Sequence, residues 1–291
     1  MPPVDYTTKH TASLDGTEVS YQVAGSQGPW IVVANGLGAG NSAWRQTVEY
    51  FADQARFLLW DYRGLVSPEE NESTATLPAR VDTHAQDLHA ILQTENVQGG
   101  TWLGWSFGAQ VLLEAFRHPG PHPDRLILIN PCYGRRPRDP AGIRRLLPFG
   151  LDAMAWSPEW WERAVRRASS WPETASWLKR LGFVAPAADQ EGLLDILRHF
   201  RSVNAHAFLR LLRAAATHRI DGILGGIDVP TLVIFGDKDW VTPRFNAEPL
   251  ARQISNVELF LVRNGTHFVP LEYPELINLR VEKFLREHAS L

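Results

Sequence analysis

Ser106 lies between two glycines, at the point where a short apolar run gives way to a helical pattern. The pentapeptide Gly104-Trp-Ser-Phe-Gly108 follows a predicted strand over 100–105 and precedes a predicted helix over 107–117. A strand that turns sharply into a helix leaves no room for side chains two positions before and after the central residue, and glycine removes them. The spacing therefore predicts a serine nucleophile exposed at the carboxyl end of a strand.

A serine hydroxyl becomes a good nucleophile at neutral pH when a histidine takes its proton and a carboxylate orients that histidine. Two aspartates, Asp237 and Asp239, follow the apolar run 231–235, and His267 follows the run 257–262. The carboxyl ends of parallel strands meet at one edge of a sheet, so these side chains are candidates for one site with Ser106. Both aspartates remain candidates for the acid at this point.

A glycine-rich loop, Asn35-Gly-Leu-Gly-Ala-Gly40, follows the apolar run 30–34. It lacks the G-x-G-x-x-G spacing of a dinucleotide site, which disfavours a nucleotide cofactor. The alternative is an oxyanion hole, in which the backbone N–H groups of Leu37 and Phe107 stabilise a developing negative charge. Phe107 suits this role because it begins a helix, whose N-terminus carries partial positive charge.

Strand and helix patterns alternate along most of the chain, which indicates an α/β fold. An antiparallel hairpin is expected around Asp15-Gly16, followed by a parallel sheet with helices on both faces. We expect helices over 42–53, capped by Ser42, and over 79–95, 243–254 and 271–287. The predicted strands cover 7–14, 17–24, 30–34, 56–60, 100–105, 125–129, 231–235 and 257–262.

The alternation stops after residue 130 and resumes near 231. Within this interval the apolar residues over 193–211 have helical spacing and fit one long helix or two successive ones. We predict a core domain over 1–134 and 223–291, with an all-helical cap inserted over 135–222. Five of the 11 tryptophans lie in the cap. Trp156 and Trp160 in the cap, and Trp105 and Trp240 beside the candidate reactive residues, are expected to line an apolar substrate pocket, although core packing explains Trp105 and Trp240 as well.

Composition excludes several other classes of protein. The 291 residues carry a net charge of −3 and have no basic tract interleaved with aromatic residues, so no nucleic-acid partner is expected. A single cysteine, Cys132, permits no internal disulfide, and the sequence has no signal-like or membrane-spanning run. His84 and His89 are five apart, which is poor spacing for a zinc pair on a helix. We therefore expect a cytoplasmic protein that uses no metal or cofactor and has no membrane partner. The sequence does not indicate its oligomeric state.

Taken together, the sequence resembles cap-containing serine hydrolases of the α/β-hydrolase superfamily over nearly its whole length. The resemblance implies an eight-stranded, mostly parallel sheet and favours Asp239 as the acid, because the family's acid lies three residues after Gly236. The chain departs from the family at Asn35, where histidine is common, and at Gly64-Leu-Val-Ser67, where another glycine is usual. The matching pieces are Asn35-Gly36, Asp61-Tyr-Arg-Gly64, the serine pentapeptide, Gly236 to Pro243, Gly265-Thr-His267 and Pro274-Glu275.

The resemblance implies hydrolysis of a carboxylic ester or related acyl bond, and the tryptophan-rich cap favours a small to medium, mainly apolar substrate. Ser106 would attack, His267 would act as base and then acid, and Asp239 would orient the histidine. The same residues serve carbon–carbon bond hydrolases, thioesterases, lactonases, acyltransferases and perhydrolases, and these alternatives stay open. A ligand receptor with slow or no turnover is the alternative from another class. Epoxide and haloalkane chemistry is disfavoured, since those relatives carry aspartate at the position of Ser106.

Overall fold

The computed structural model describes residues 4–66, 80–132, 158–171, 173–220, 222–244 and 247–288. In this part of the chain a single eight-stranded sheet forms the centre, in the order β1-β2-β4-β3-β5-β6-β7-β8. Strand β2 runs antiparallel to β1 and β4, and all the other neighbours are parallel. The strands are β1 (Tyr6–Ala12), β2 (Glu18–Ala24), β3 (Trp30–Ala34), β4 (Arg56–Trp60), β5 (Thr101–Trp105), β6 (Arg125–Ile129), β7 (Thr231–Gly236) and β8 (Val257–Val262). The predicted α/β class and mostly parallel eight-stranded sheet are confirmed.

Helices cover both faces of the sheet, and each face has its own apolar core. The helices are α1 (Arg45–Phe51), α2 (Val81–Thr94), α3 (Phe107–Ala115), α4 (Pro158–Ala168), α5 (Thr174–Arg180), α6 (Gln190–Phe200), α7 (Ala205–Thr217), α8 (Ala247–Gln253), α9 (Val269–Glu272) and α10 (Pro274–Glu287). Trp60, Trp102 and Phe107 belong to one core, whereas Trp44 and Trp105 belong to the other. Strand β5, which leads into Ser106, is buried along its whole length between them.

Three helix predictions need correction. The helix expected from Ser42 begins as a 3-10 turn over Asn41–Trp44, and Ser42 lies inside that turn, where it caps nothing. In the described residues, the helix expected over 243–254 covers Ala247–Gln253. The helix expected over 271–287 is split at Tyr273, because the residue before a proline is disfavoured in helical geometry and Pro274 starts a new helix.

The described residues between β6 and β7 contain four helices, α4 to α7. The apolar spacing over 193–211, compatible with one helix or two, belongs to two, because the Asp189 side chain caps α6 and the Asn204 side chain caps α7. The segment bonds to the core at several points. Asp189 N–H donates to Leu271 O at 3.0 Å, and Asn204 N–H donates to Leu65 O at 2.8 Å. These bonds hold α6 and α7 against the carboxyl edge of the sheet, where the candidate site lies.

Candidate active site

Ser106 occupies a strained turn between β5 and α3. Its backbone angles, φ 55° and ψ −112°, lie in a region that non-glycine residues rarely adopt. A Cβ on Gly108 would lie 2.0 Å from Ala34 O, and one on Gly104 would lie 2.9 Å from the backbone of Ala109. Both glycines are therefore required by close packing around the turn, which leaves the Ser106 side chain partly exposed.

His267 stands opposite Ser106, in the loop that follows β8. Its Nε2 lies 2.8 Å from Ser106 Oγ, within hydrogen-bond distance. The ring is almost fully buried and packs against Trp105 with a centroid separation of 6.0 Å. With Nδ1 held on its other side, the ring is placed to accept the Ser106 proton at Nε2.

Asp239 holds that other side, with Oδ2 located 2.8 Å from His267 Nδ1. The same carboxylate accepts from the N–H groups of Val241 and Thr242, both at 2.8 Å, and from Thr242 Oγ1 at 2.7 Å. Burial alone would raise the pKa of Asp239, but the charge of His267 and these hydrogen bonds outweigh it, so the pKa lies below its usual value. Asp237, the competing candidate, is exposed and its backbone N–H bonds to Val262.

Asn130 ties the two loops together, and the sequence reading did not find it. It is fully buried with φ 43°, and its amide Nδ2 donates to the carbonyl oxygens of Thr266 and His267 at 2.9 and 3.0 Å. Its Oδ1 accepts from Gly236 N–H at 3.0 Å, and its backbone oxygen lies 3.0 Å from Thr242 Oγ1. The available signal was its position, since a polar residue at the carboxyl end of a buried strand points to a role at that edge.

Glu272 is a second support that the sequence reading missed. Its buried carboxylate accepts from Thr266 N–H and Ala185 N–H, both at 2.7 Å, and also from the Thr266 hydroxyl. Thr266 directly precedes His267, and Ala185 belongs to the segment between α5 and α6. One carboxylate thus fixes both the histidine loop and the helical segment above it.

The two predicted oxyanion residues lie in the expected settings. The Phe107 N–H is the first of α3, and Leu37 lies in the loop after β3. Among the described residues, neither N–H has a hydrogen-bond acceptor. Asn35 supports the Leu37 loop, because its side chain accepts from Trp44 Nε1 and donates to Trp60 O and Asn41 Oδ1, while its carbonyl accepts from Tyr62 OH. At this position, where histidine is common in the family, the side-chain amide of Asn35 supports the loop.

The four tryptophans predicted to line a pocket lie in different settings. Trp105 is buried in the core, and its Nε1 donates to His267 O at 2.9 Å. This bond helps to hold the backbone of His267 in place. Trp240 is 45% exposed and packs edge-to-face against Phe183 at 5.3 Å. Trp160 is exposed on α4. Trp156 lies outside the described residues.

None of the helices in the described ranges has the length and apolar content that a bilayer-spanning helix needs.

Comparison with known proteins identifies the family of the chain. The sequence model of the family described as alpha/beta hydrolase fold matches residues 29–274. Serine hydrolase BPHL of Mus musculus is 25% identical over 96% of this chain and 87% of its own length. Pimeloyl-[acyl-carrier protein] methyl ester esterase of Vibrio atlanticus is 23% identical over 86% of this chain and 92% of its own length. The esterase EaEST from Exiguobacterium antarcticum superposes with a TM-score of 0.78 at 20% identity, covering 96% of this chain and 99% of that one.

The chain belongs to the α/β-hydrolase family, and it is an enzyme of that family.

Proposed function

We propose that the chain is a serine hydrolase that cleaves a carboxylic ester or a related acyl bond through an acyl-enzyme. One observation carries the proposal: the His267 ring has Nε2 at 2.8 Å from Ser106 Oγ and Nδ1 at 2.8 Å from the buried Asp239. This is the arrangement in which a histidine of fixed tautomer removes a serine proton. The relatives named as esterases and as a serine hydrolase support the same class.

The reaction proceeds in two halves. Ser106 Oγ attacks the acyl carbon while its proton passes to His267 Nε2, and the N–H groups of Leu37 and Phe107 stabilise the oxyanion. The tetrahedral intermediate collapses as His267 gives that proton to the leaving alcohol, which leaves an ester on Ser106. Water then attacks this ester with His267 as base, and the acid product departs. Asp239 stays ionised throughout, consistent with its lowered pKa.

The surroundings of the oxyanion loop favour a mainly apolar substrate of small to medium size. Phe200 of α6 and Phe208 of α7 stack edge-to-face at 5.1 Å, and both rings border Gly38, next to Leu37. The same rings line a small apolar cleft of about 70 Å³ between α4, α6 and α7. An apolar acyl or aryl group lying along these rings would bury hydrophobic surface near the oxyanion loop.

Hydrolysis rates on p-nitrophenyl esters of rising chain length test both parts of the proposal. The intact protein is expected to hydrolyse esters of medium chain length faster than acetate, and Ser106→Ala is expected to lose about 10⁴-fold or more in kcat. Ser20→Ala, which alters an exposed serine on β2, serves as the matched control and should keep full activity. Equal rates for Ser106→Ala and the intact protein would refute the serine mechanism, whereas a preference for short, charged acyl groups would refute only the apolar substrate.

A further inference from the structure

A second cluster of titratable side chains lies far from Ser106, where three helix ends meet. Asp82 lies in the first turn of α2, Glu114 in the last turn of α3, and His118 just beyond it. One ligand atom from each of these three residues lies within 4.8 Å of the other two. His218, which follows the last residue of α7, adds its Nε2 at 3.1 Å from Glu114 Oε2. Two carboxylates and one imidazole thus converge, and a second imidazole, that of His218, lies against Glu114.

The contacts within the cluster are close but are not hydrogen bonds. His118 Nε2 lies 2.9 Å from Asp82 Oδ1, yet this nitrogen, His218 Nε2 and Glu114 Oε2 are buried atoms with no hydrogen-bond partner among the described residues. Glu114 is 95% buried. Buried polar atoms rarely stay unpaired, because each costs about 1–3 kcal/mol.

We propose that Asp82, Glu114 and His118 bind a divalent transition metal, with Zn²⁺ as the fitting ion, and that His218 moves from Glu114 onto the ion as the fourth ligand. Imidazole nitrogen together with carboxylate oxygen suits Zn²⁺, whereas Mg²⁺ and Ca²⁺ require oxygen ligands almost exclusively. The carboxyl ends of α3 and α7 face the cluster, and the partial negative charge of a helix C-terminus favours a cation there. The cluster opens to an accessible groove of about 690 Å³, which gives the ion an entry path.

Three arginines, Arg80, Arg117 and Arg219, line the groove beside the cluster and must be weighed against the cation. Arg117 Nε lies 3.5 Å from Glu114 Oε2, and Arg80 Nη2 lies 3.8 Å from Asp82 Oδ2. Arg80, whose side chain is 72% exposed, has room to turn toward water when a metal binds, and Arg117 also donates from Nη2 to Arg219 O at 3.1 Å. Neither His118 Nε2 nor His218 Nε2 makes a hydrogen bond among the described residues. A bound metal therefore explains the cluster better than histidine–carboxylate ion pairs do.

The metal would act as a clamp and take no part in the reaction. Glu114 lies eight residues after Ser106, about 12 Å farther along α3 at 1.5 Å per residue. The ligands come from α2 and α3, which pack on the sheet, and from the end of α7 in the helical segment. Binding would therefore fasten α7 to the core. This departs from the expectation of no metal, which considered only the spacing of His84 and His89.

Calorimetric titration of the chelator-treated full chain with ZnCl₂, paired with thermal unfolding, tests the site. One equivalent is expected to bind and, at free Zn²⁺ about 100-fold above Kd, to raise Tm by about 5 °C. His118→Ala and the near-isosteric Glu114→Gln are each expected to weaken binding at least about tenfold and to abolish the Tm shift. His10→Ala, an exposed histidine on β1, is the matched control and should bind as the intact chain does.

Glu114→Gln keeps the size and shape of the side chain, so the test stands even if His118→Ala folds poorly. A Kd weaker than about 100 µM for the intact chain would overturn the proposal. So would an unchanged Kd in Glu114→Gln or in a folded His118→Ala. One equivalent that is lost in these variants and kept in His10→Ala would establish the site.

Discussion

The side-chain amide of Asn130 donates a hydrogen bond to the carbonyl oxygen of His267 at 3.0 Å. The same side chain accepts from Gly236 N–H, at the start of the loop that carries Asp239. One residue at the end of β6 thus sets the spacing between the proposed acid and the proposed base. Because neither contact is with a reacting atom, Asn130 is a positioning residue.

Replacing Asn130 should therefore impair turnover more than substrate binding. Asn130→Gly accepts the positive φ but removes all the side-chain bonds, so we expect kcat to fall by about 10²-fold with little change in KM. Loss of the buried hydrogen bonds should also lower the free energy of unfolding by about 1–3 kcal/mol. Steady-state kinetics and denaturant unfolding measure the two effects.

Asn96→Gly is the matched control, since Asn96 also has positive φ, at 53°, but lies at the end of α2. It should leave kcat unchanged. An Asn130→Gly variant with normal kcat would show that the two loops hold their spacing without this amide.

Asp239 predicts a specific pH dependence of stability. Because its pKa lies below the usual 3.8, the folded state holds its proton less tightly than the unfolded state does. The resulting stabilisation is fully present above that usual value and is lost as pH falls through the lower, folded-state pKa. Asp239→Asn should therefore lose stability less steeply than the intact chain below about pH 4, as measured by urea unfolding across the acid range.

Asp237→Asn alters an exposed carboxyl two residues away and should retain the steep acid loss. If the two variants gave superimposable stability–pH profiles, the assignment of the buried acid to Asp239 would be wrong. In activity assays, Asp239→Asn should reduce kcat by about 10⁴-fold, because the histidine tautomer is no longer fixed.

Gly108 predicts a steric effect at the nucleophile turn. An alanine Cβ there would come within 2.0 Å of Ala34 O, a backbone atom that cannot swing away. We expect Gly108→Ala to cost about 3 kcal/mol or more of stability and to displace Ser106. Gly225→Ala is the control, because nothing lies within 4 Å of the added Cβ and its φ is ordinary. It should change stability by less than about 0.5 kcal/mol, and equal thermal shifts for the two variants would contradict the close packing at the turn.

The buried ion pair between Arg63 and Asp87 gives a further test. The side chain of Arg63 is 3% exposed and binds the fully buried Asp87, which also accepts from Ser13 Oγ at 2.6 Å. Asp87→Asn leaves the arginine charge buried without that partner, so a loss of about 3–5 kcal/mol is expected in chemical unfolding. Asp15 contacts the same arginine from a side chain that is 43% exposed, and Asp15→Asn should cost at most about 1 kcal/mol. If Asp87→Asn lowered the free energy of unfolding by less than Asp15→Asn, the expectation that the buried pair contributes more would be wrong.

The sequence was sufficient wherever a local pattern determines structure. The continuous apolar runs marked the parallel strands within about a residue, and the glycines at 104 and 108 located the turn at Ser106. Spacing predicted that Asp239 and His267 follow neighbouring strands, because the carboxyl ends of parallel strands share one edge of a sheet. The structure brings these side chains together with Ser106.

What the sequence did not reveal depends on contacts between distant segments. Asn130, Glu272 and Thr242 are ordinary polar residues until the fold places them against the loops at 236–239 and 265–267. The role of Trp105 required knowing that its indole N–H meets His267 O, 162 residues along the chain. The cluster of Asp82, Glu114, His118 and His218 has no short-range ligand motif, since its members come from the ends of three helices.

Reaction of the intact chain with a fluorophosphonate, followed by peptide mass spectrometry, tests the central claim most directly. The account predicts a stoichiometric covalent adduct on Ser106, with loss of esterase activity in step with labelling. Labelling should be much slower in Asp239→Asn, where His267 is no longer oriented. Absence of an adduct on Ser106 in a protein that still hydrolyses esters would contradict the account.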